Sequence, residues 1–378
     1  MVLDDVCVFI ADCPHSTAPD EGQGYPIIRT PNVGRGRLLL DGVQRVSKDV
    51  YDKRNKRAVP QKDDIIFARE APAGNAAIIR EGQEVCLGQR TVLIRPDAEK
   101  VYPQYLVYYL LSPQQQYELL GTANGATVAH VNIPIIKNLP IELPPMESQI
   151  KIADTISAYD DLIENNQKQI KLLEEAAQRL YKEWFVDLRF PGYENVPVLD
   201  GVPEGWEKKL IGNIIGKVPR TKQIMTSEYK NEGHIPIIDQ SRGFIAGYTD
   251  ENEARVDLGT PVIVFGDHTR VLKYIQFPFA KGADGTQLIV SNNDNMPQAL
   301  LYLALVEVDL SNYHYARHFK YLKAETILVP KKEIADRFES LVAPILLKIQ
   351  KLRDMSYKAA QARDRLLPKL MSGELEVY

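Results

Sequence analysis

Few places in the sequence gather residue types that could do chemistry, and each falls short of a reaction. Cys7, Cys13 and His15 are soft ligands near one another. Their spacing and number fit no common zinc pattern, so they read as buried or surface thiols rather than a metal site. Pro96-Asp97-Ala98-Glu99-Lys100 holds two acids, crowded into one turn, where a magnesium nuclease needs them separated. Asp294-Asn295-Met296-Pro297 starts like the loop with which methyltransferases hold a flipped base. It lacks the second proline and the aromatic. No Gly-rich loop ends in Gly-Lys-Ser/Thr to cradle phosphates. The chain therefore reads as non-catalytic, with no cofactor and no metal.

What remains is binding chemistry. Phosphates are held by Lys, Arg and short polar donors, and base edges are read mainly by Arg, Lys, Asn and Gln. The densest basic run is Arg45, Lys48, Lys53, Arg54, Lys56 and Arg57, with Arg29, Arg35 and Arg37 before it on a Gly-containing loop. Few acids lie nearby, which favours phosphate contact. A solvated charged face is the alternative. Asn124, Thr127, His130 and Asn132 lie on a Gly-rich stretch that either reaches DNA or caps its own backbone. Later, His268, Arg270 and Lys273 form a patch interrupted by Asp267. His314, Arg317, His318 and Lys320 interleave with Tyr313, Tyr315 and Phe319, which also suit a core. Lys182, Trp184 and Phe185 could dock a partner protein, since aromatics make favoured anchors, or could pack inside.

The elements that must position these residues are repeated. IELPP at 141–145 returns as ILVPK at 327–331, and the same shift of 186 residues carries Ile152 onto Phe338, Ile156 onto Val342, Ile163 onto Ile349 and Leu180 onto Leu366. Before these stretches the match is looser. Tyr25-Pro26-Ile27-Ile28 resembles Ile235-Pro236-Ile237-Ile238, and Ile65-Ile66-Phe67 resembles Ile263-Val264-Phe265. The order is globular unit, long helix, globular unit, long helix.

In the first long helix, heptad position a holds Ile156, Ile163, Ile170, Ala177 and Trp184, and d holds Tyr159, Asn166, Leu173 and Leu180. In the second, a holds Val342, Ile349, Ser356, Arg363 and Leu370, and d holds Ile345, Leu352, Ala359 and Leu366. Such a coiled-coil seam packs one helix along another. Asn166, Ser356 and Arg363 weaken it, so each helix is expected to pair with the other helix of the same chain. At 1.5 Å per residue, ~40 residues make a spacer of ~60 Å. Pro191-Gly192 ends the first helix, and residues 187–206 have a linker's composition. Strands are expected at Ile65–Ala68, Ala76–Ile79, Thr91–Ile94, Val262–Phe265 and Gln287–Val290, with short helices near Pro103–Ser112 and Pro297–Val306.

Composition sets wider limits. The formal net charge of −4 over 378 residues excludes a histone-like polybasic protein but leaves room for a local basic face. Three cysteines form no disulfide framework and suit a reducing, cytoplasmic setting. No apolar run of ~18 residues spans a membrane, and the start lacks the marks of a signal peptide.

Three segments resemble a known family. Residues 143–194, LPPMESQIKIADTISAYDDLIENNQKQIKLLEEAAQRLYKEWFVDLRFPGYE, look like the central helical region of Type I restriction–modification specificity (S, HsdS-type) subunits. RLLPKLMSGELEV at 365–377 resembles their C-terminal signature, and GTANGATVAHVNIPIIKNLPIELPP at 121–145 the end of their first target-recognition domain. The resemblance implies an α+β chain with two α/β target-recognition domains separated by two long antiparallel helices, a pseudo-twofold internal repeat. The expected boundaries are 1–145 for the first domain and 146–190 for its helix. Residues 191–330 are the linker and second domain, and 331–378 the second helix. The resemblance also implies sequence-specific reading of a split site in double-stranded DNA. Its partners would be two methyltransferase subunits and the restriction/translocase subunits, which methylate or cut. In the second half, LSNYHYARHFKYLKAE at 310–325 replaces the Gly-rich form at Gly121–Gly125, so contacts do not transfer residue by residue. A non-catalytic protein-binding scaffold and a stand-alone DNA-binding regulator are the alternatives.

Overall fold

The computed structural model describes residues 1–121, 130–313 and 317–377. It divides into two compact units, Met1–Glu164 with Ser356–Tyr378, and Asn165–Met355. Both division points fall inside long helices, so each helix contributes to both units.

In the first unit, strands β1 (Cys7–Asp12), β2 (Tyr25–Ile28), β3 (Gly36–Arg37) and β4 (Arg45–Val46) precede helix α1 (Lys48–Arg54). Strands β5 (Ile65–Ala68), β6 (Ala76–Ile78), β7 (Cys86–Leu87) and β8 (Thr91–Pro96) follow. Helices α2 (Pro103–Leu111), α3 (Pro113–Gly121) and α4 (Ile133–Lys137) lead to the long helix α5 (Met146–Tyr181). The main sheet has the order β1-β8-β5-β6-β3, and a second sheet the order β4-β2-β7. Alternation along β5 sends Ile65 and Phe67 to one face and Ile66 and Ala68 to the other. Both faces are buried, which explains why the sequence reads as an unbroken apolar run. Ile65 and Phe67 pack with Tyr105 and Leu106 of α2 and with Ile152 and Ile156 of α5.

The second unit follows with β9 (Val198–Leu199), β10 (Val202–Pro203), β11 (Glu207–Leu210), β12 (Ile215–Gly216), β13 (Ile235–Ile238), β14 (Gly247–Thr249), β15 (Arg255–Val256), β16 (Val262–Gly266), β17 (Leu272–Ile275), β18 (Phe279–Lys281) and β19 (Thr286–Ser291). Helices α6 (Gln298–Val306) and α7 (His318–Ala324), strand β20 (Thr326–Val329) and the second long helix α8 (Lys332–Met371) complete it. Its sheets run β12-β19-β16-β17 and β14-β13-β18-β15. The order β1-β8-β5-β6 is thus repeated as β12-β19-β16-β17, and β4-β2-β7 as β14-β13-β18.

The register repeats as well. Ile65 pairs with Ile94 and Ala68 with Thr91, while Ile263 pairs with Ile289 and Gly266 with Thr286. The buried hydroxyls of Thr91 and Thr286 donate to the carbonyls of Gly88 and Ala283, at 2.9 Å each. The expected strands and short helices all form, with ends moved by one or two residues as is usual at fraying termini.

The two long helices run in opposite directions. Asp160 of α5 meets Arg363 of α8 in the first unit. In the second unit Glu174 meets Arg353, and Tyr181 meets Phe338. The heptad positions read from sequence face inward, with Ile156, Ala177, Val342, Ile349, Leu352 and Leu370 all buried. At the first unit's seam, Gly36 adopts φ 89°. An added Cβ there would stand 3.1 Å from Asp160 Oδ2 and 3.2 Å from the Tyr108 ring, so glycine is needed on both counts.

Candidate nucleic-acid interface

Helix α1 ends the β4 connection and carries the densest basic run. Because it is one short amphipathic segment, its cations divide by face. Arg54 points inward and is 7% exposed. Its Nε donates to the Leu87 carbonyl at 2.7 Å and its Nη1 to Ser16 at 2.9 Å, with Nη2 toward Pro14 at 3.4 Å. Burial lowers its pKa. Arg54 therefore ties α1 to β7 and to the loop after β1, and its donors are turned to the protein rather than to a phosphate. Lys48 pairs with Asp52 at 2.6 Å and lies over the stacked rings of Tyr25 and Tyr51. Lys53, Lys56 and Arg57 are exposed. None has a side-chain partner among the described residues, so these are the cations of the run available to phosphate.

The arginines before α1 all have partners within the protein. Arg29 donates to the Gln44 side chain, Arg45 to the Gly24 carbonyl and Arg35 to the Leu111 carbonyl. Arg37 faces Glu164 at 3.8 Å. Arg80, which sequence reasoning passed over, binds Glu164 at 2.7 Å and Asp161 at 2.9 Å. The alternating loop of glycine and arginine gave no sign that α5 would place carboxylates opposite it.

At the end of β5 a polar network surrounds His130. Its Nδ1 is 2.6 Å from Glu70 Oε1, its Nε2 is 3.0 Å from Arg69 Nη2, and Arg69 also meets Asp12 at 3.1 Å. Arg90 adds a second contact to Glu70 at 2.9 Å. Asn132 is exposed just before α4. Asn124 and Thr127 lie outside the described residues.

The second unit uses the same strand end differently. By register Asp267 stands where Arg69 does, and it too grips the segment leading to the next helix. Its Oδ1 accepts the Phe319 N–H at 2.7 Å, and its carbonyl accepts that of His318 at 2.9 Å. His318 is buried, with its ring nitrogens against the Asp267 and Tyr313 carbonyls. Lys273 is buried as well, with Nζ donating to the carbonyls of Asp239 and Gly243. Burial pushes its pKa down to about 8. Arg270, at φ 60°, donates to the Leu310 carbonyl at 2.9 Å. His318 and Lys273 are internal supports, whereas Arg270 is exposed and holds the Leu310 carbonyl from the surface. His268, Arg317 and Lys320 are exposed, without side-chain partners among the described residues. His314 lies outside the described residues.

Trp184 and Phe185 follow the same logic. A π-helical turn at Lys182–Val186 closes α5 and turns both rings inward, to 6% and 4% exposure. Phe185 meets Phe338 edge-on at 4.9 Å and Trp206 at 5.5 Å, and Trp184 meets Phe338 at 5.5 Å. Each such pair is worth about 0.5–1.5 kcal/mol beyond area burial. The two aromatics are core residues, so no partner can use them as surface anchors. Lys182 alone of the three is exposed. Among the described residues no group of His, Cys, Asp or Glu is arranged to hold a metal. Burial raises the Cys7 thiol pKa to about 12, which disfavours a thiolate ligand. No described helix is long and apolar enough to cross a membrane.

Comparison with known proteins agrees with this arrangement. Residues 1–175 match the family described as Type I restriction modification DNA specificity domain. The Type I restriction enzyme MjaIX specificity subunit of Methanocaldococcus jannaschii is 26% identical over 89% of this chain and 83% of its own length. The HindI specificity subunit of Haemophilus influenzae is 27% identical over 52% of this chain and 44% of its own. In fold, the crystal structure of the Type I restriction–modification S subunit from M. genitalium superposes over 98% of this chain and 95% of its own. The TM-score is 0.60 at 16% identity. The first 175 residues thus match the Type I DNA specificity domain, most of the chain is similar in sequence to the MjaIX specificity subunit, and its fold is similar to that of the M. genitalium S subunit.

Proposed function

We propose that this chain is the non-catalytic DNA-recognition subunit of a Type I restriction–modification complex. It reads a split site in double-stranded DNA, one half-site per unit, and docks methyltransferase and restriction subunits that carry the chemistry. The observation that carries this reading is the repeat itself. Two sheets of the same order and register, β1-β8-β5-β6 and β12-β19-β16-β17, recur in one chain, each with segments of both long helices in its core. A pseudo-symmetric pair of readers suits a duplex whose two half-sites carry different sequences.

The exposed cations Lys53, Lys56 and Arg57 in the first unit, and His268, Arg317 and Lys320 in the second, are the part of this surface that meets phosphate. Asn132 is the short polar donor beside it. Two methyltransferase subunits suit the same pseudo-symmetry, one against each end of the paired helices, with the cytoplasm as the site of action. The test is DNA affinity of the chain bound to its cognate methyltransferase subunits, titrated with salt. DNA reading predicts an affinity that falls steeply as salt rises. A salt-independent or absent affinity would leave the chain as a protein scaffold.

A further inference from the structure

The repeat permits a position-by-position comparison of the two units, and they differ most at one place. In the first unit α1 follows β4 and is clamped by Arg54 between the loop after β1, at Pro14 and Ser16, and the Leu87 carbonyl of β7. In the second unit a single 3-10 turn, Asn252–Ala254, stands where α1 would be. The loop after β12 and strand β18 are then left facing each other across a cavity of about 330 Å³. Residues 218–221 line it from the loop, with Gln223, Lys281, Gln287 and Leu288 around the rest of its wall.

Register shows how the same positions change character. Ile28 pairs with Leu87 and Ile238 with Lys281, so an apolar residue gives way to a cation. Phe67 pairs with Val92 and Phe265 with Gln287, so a fully buried valine gives way to a half-buried amide. Charge changes hands too. In the first unit the loop after β1 brings Asp20 and Glu21, which cap Arg45 and Ser47, and α1 brings the exposed cations. In the second, the loop after β12 brings Lys217, Arg220 and Lys222, while residues 250–253 bring Asp250, Glu251 and Glu253. Lys222 and Glu251 form an ion pair that joins these two segments. Each unit thus presents basic groups on this edge, from different segments of the chain.

Arg220 is exposed, and neither its guanidinium nor the Gln287 amide has a partner among the described residues. Gln223, on the wall, donates to Asp284 Oδ1 at 3.2 Å, which brings one exposed carboxylate next to the wall. Unpaired Arg and Gln around a polar hollow are the side chains that make bidentate contacts to guanine and adenine edges, and a carboxylate accepts from cytosine.

We propose that this cavity receives base edges of one half-site in double-stranded DNA, with Arg220 and Gln287 determining specificity and Lys281 neutralising backbone charge. The assignment rests on the reading that the chain recognises a split DNA site.

The experiment uses the complex with its cognate methyltransferase subunits and modification-sensitive sequencing of the DNA it methylates. Arg220→Ala and Gln287→Ala should each relax one or two positions of a single half-site, with preference falling on the order of 10- to 100-fold there. The other half-site and the spacer should be unchanged. If Gln287→Ala weakens the fold, Arg220→Ala still tests the assignment, because that side chain is exposed. Folded variants that methylate only the original motif at the original rate would overturn it, as would equal relaxation of both half-sites. A wild-type complex yielding no split motif would instead overturn the DNA-reading function, and the assignment with it.

Discussion

Asp160 and Arg363, 203 residues apart in sequence, form an ion pair that joins the two long helices within the first unit. Tyr108 donates to the other oxygen of the same carboxylate at 2.7 Å, so one buried acid links α2, α5 and α8. Removing one partner of a buried pair leaves the other charge unpaired and costs about 3–5 kcal/mol. Asp160→Ala should therefore destabilise the first unit by roughly this amount. The double variant Asp160→Leu with Arg363→Met should recover much of it. In the second unit, Glu174 and Arg353 meet at 2.6 Å but are more exposed, and Glu174→Ala should cost about 1 kcal/mol or less. Equal losses at the two sites, followed in chemical denaturation, would contradict this account.

A second prediction separates the cations of α1. Replacing Lys53, Lys56 and Arg57 together by alanine should weaken DNA binding by the complex without regard to sequence. The slope of log affinity against log salt should fall by about one for each phosphate that is no longer neutralised, while thermal stability holds. Arg54→Ala should do the opposite: the domain gives up the clamp onto Leu87, Ser16 and Pro14 and melts earlier.

The third prediction concerns pH. Lys273 is held at a pKa of about 8 by burial, against an ordinary value of 10.5. Below about pH 8 the lysine is charged in both states and burial of that charge penalises the fold in full. Between about 8 and 10.5 the folded protein gives up the proton first, so stability rises relative to a variant without the amine. The difference in unfolding midpoint between wild type and Lys273→Met should shift in favour of the wild type as pH climbs through this window. A difference that stays constant would show the amine to be unperturbed.

Much of this molecule is legible in the sequence because repetition and periodicity are global signals. The shift of 186 residues, the apolar runs at Ile65–Ala68 and Val262–Phe265 and the heptads through Ile156 and Val342 each depend on many residues agreeing. The individual roles of cations are not legible. Arg54 and Lys53 are neighbours of the same charge, yet one is buried against carbonyls and the other exposed, because a helix turns successive residues to different faces. His318 and Lys273 looked like surface donors and became internal ones, since their acceptors are backbone carbonyls distant in sequence. Trp184 and Phe185 read in the sequence either as a docking anchor or as core, and their contacts with Phe338 and Trp206 make them core. The loop Lys217–Lys222, basic and proline-containing, was not singled out in the sequence. Its importance appears only when the missing counterpart of α1 opens the space beside it.

The fourth prediction tests the long helices as a spacer. Inserting or deleting one heptad in both α5 and α8, so that the seam is kept, should change the number of unspecified base pairs between the half-sites while leaving both half-site sequences intact. An unchanged spacer in an active complex would contradict this role.

The most direct measurement of the central claim is modification-sensitive sequencing of DNA from cells that express this chain with its cognate methyltransferase subunits, compared with cells lacking the chain. The account predicts a split methylated motif with an unspecified spacer, present only when the chain is present. A stable complex that adds no new motif would contradict it.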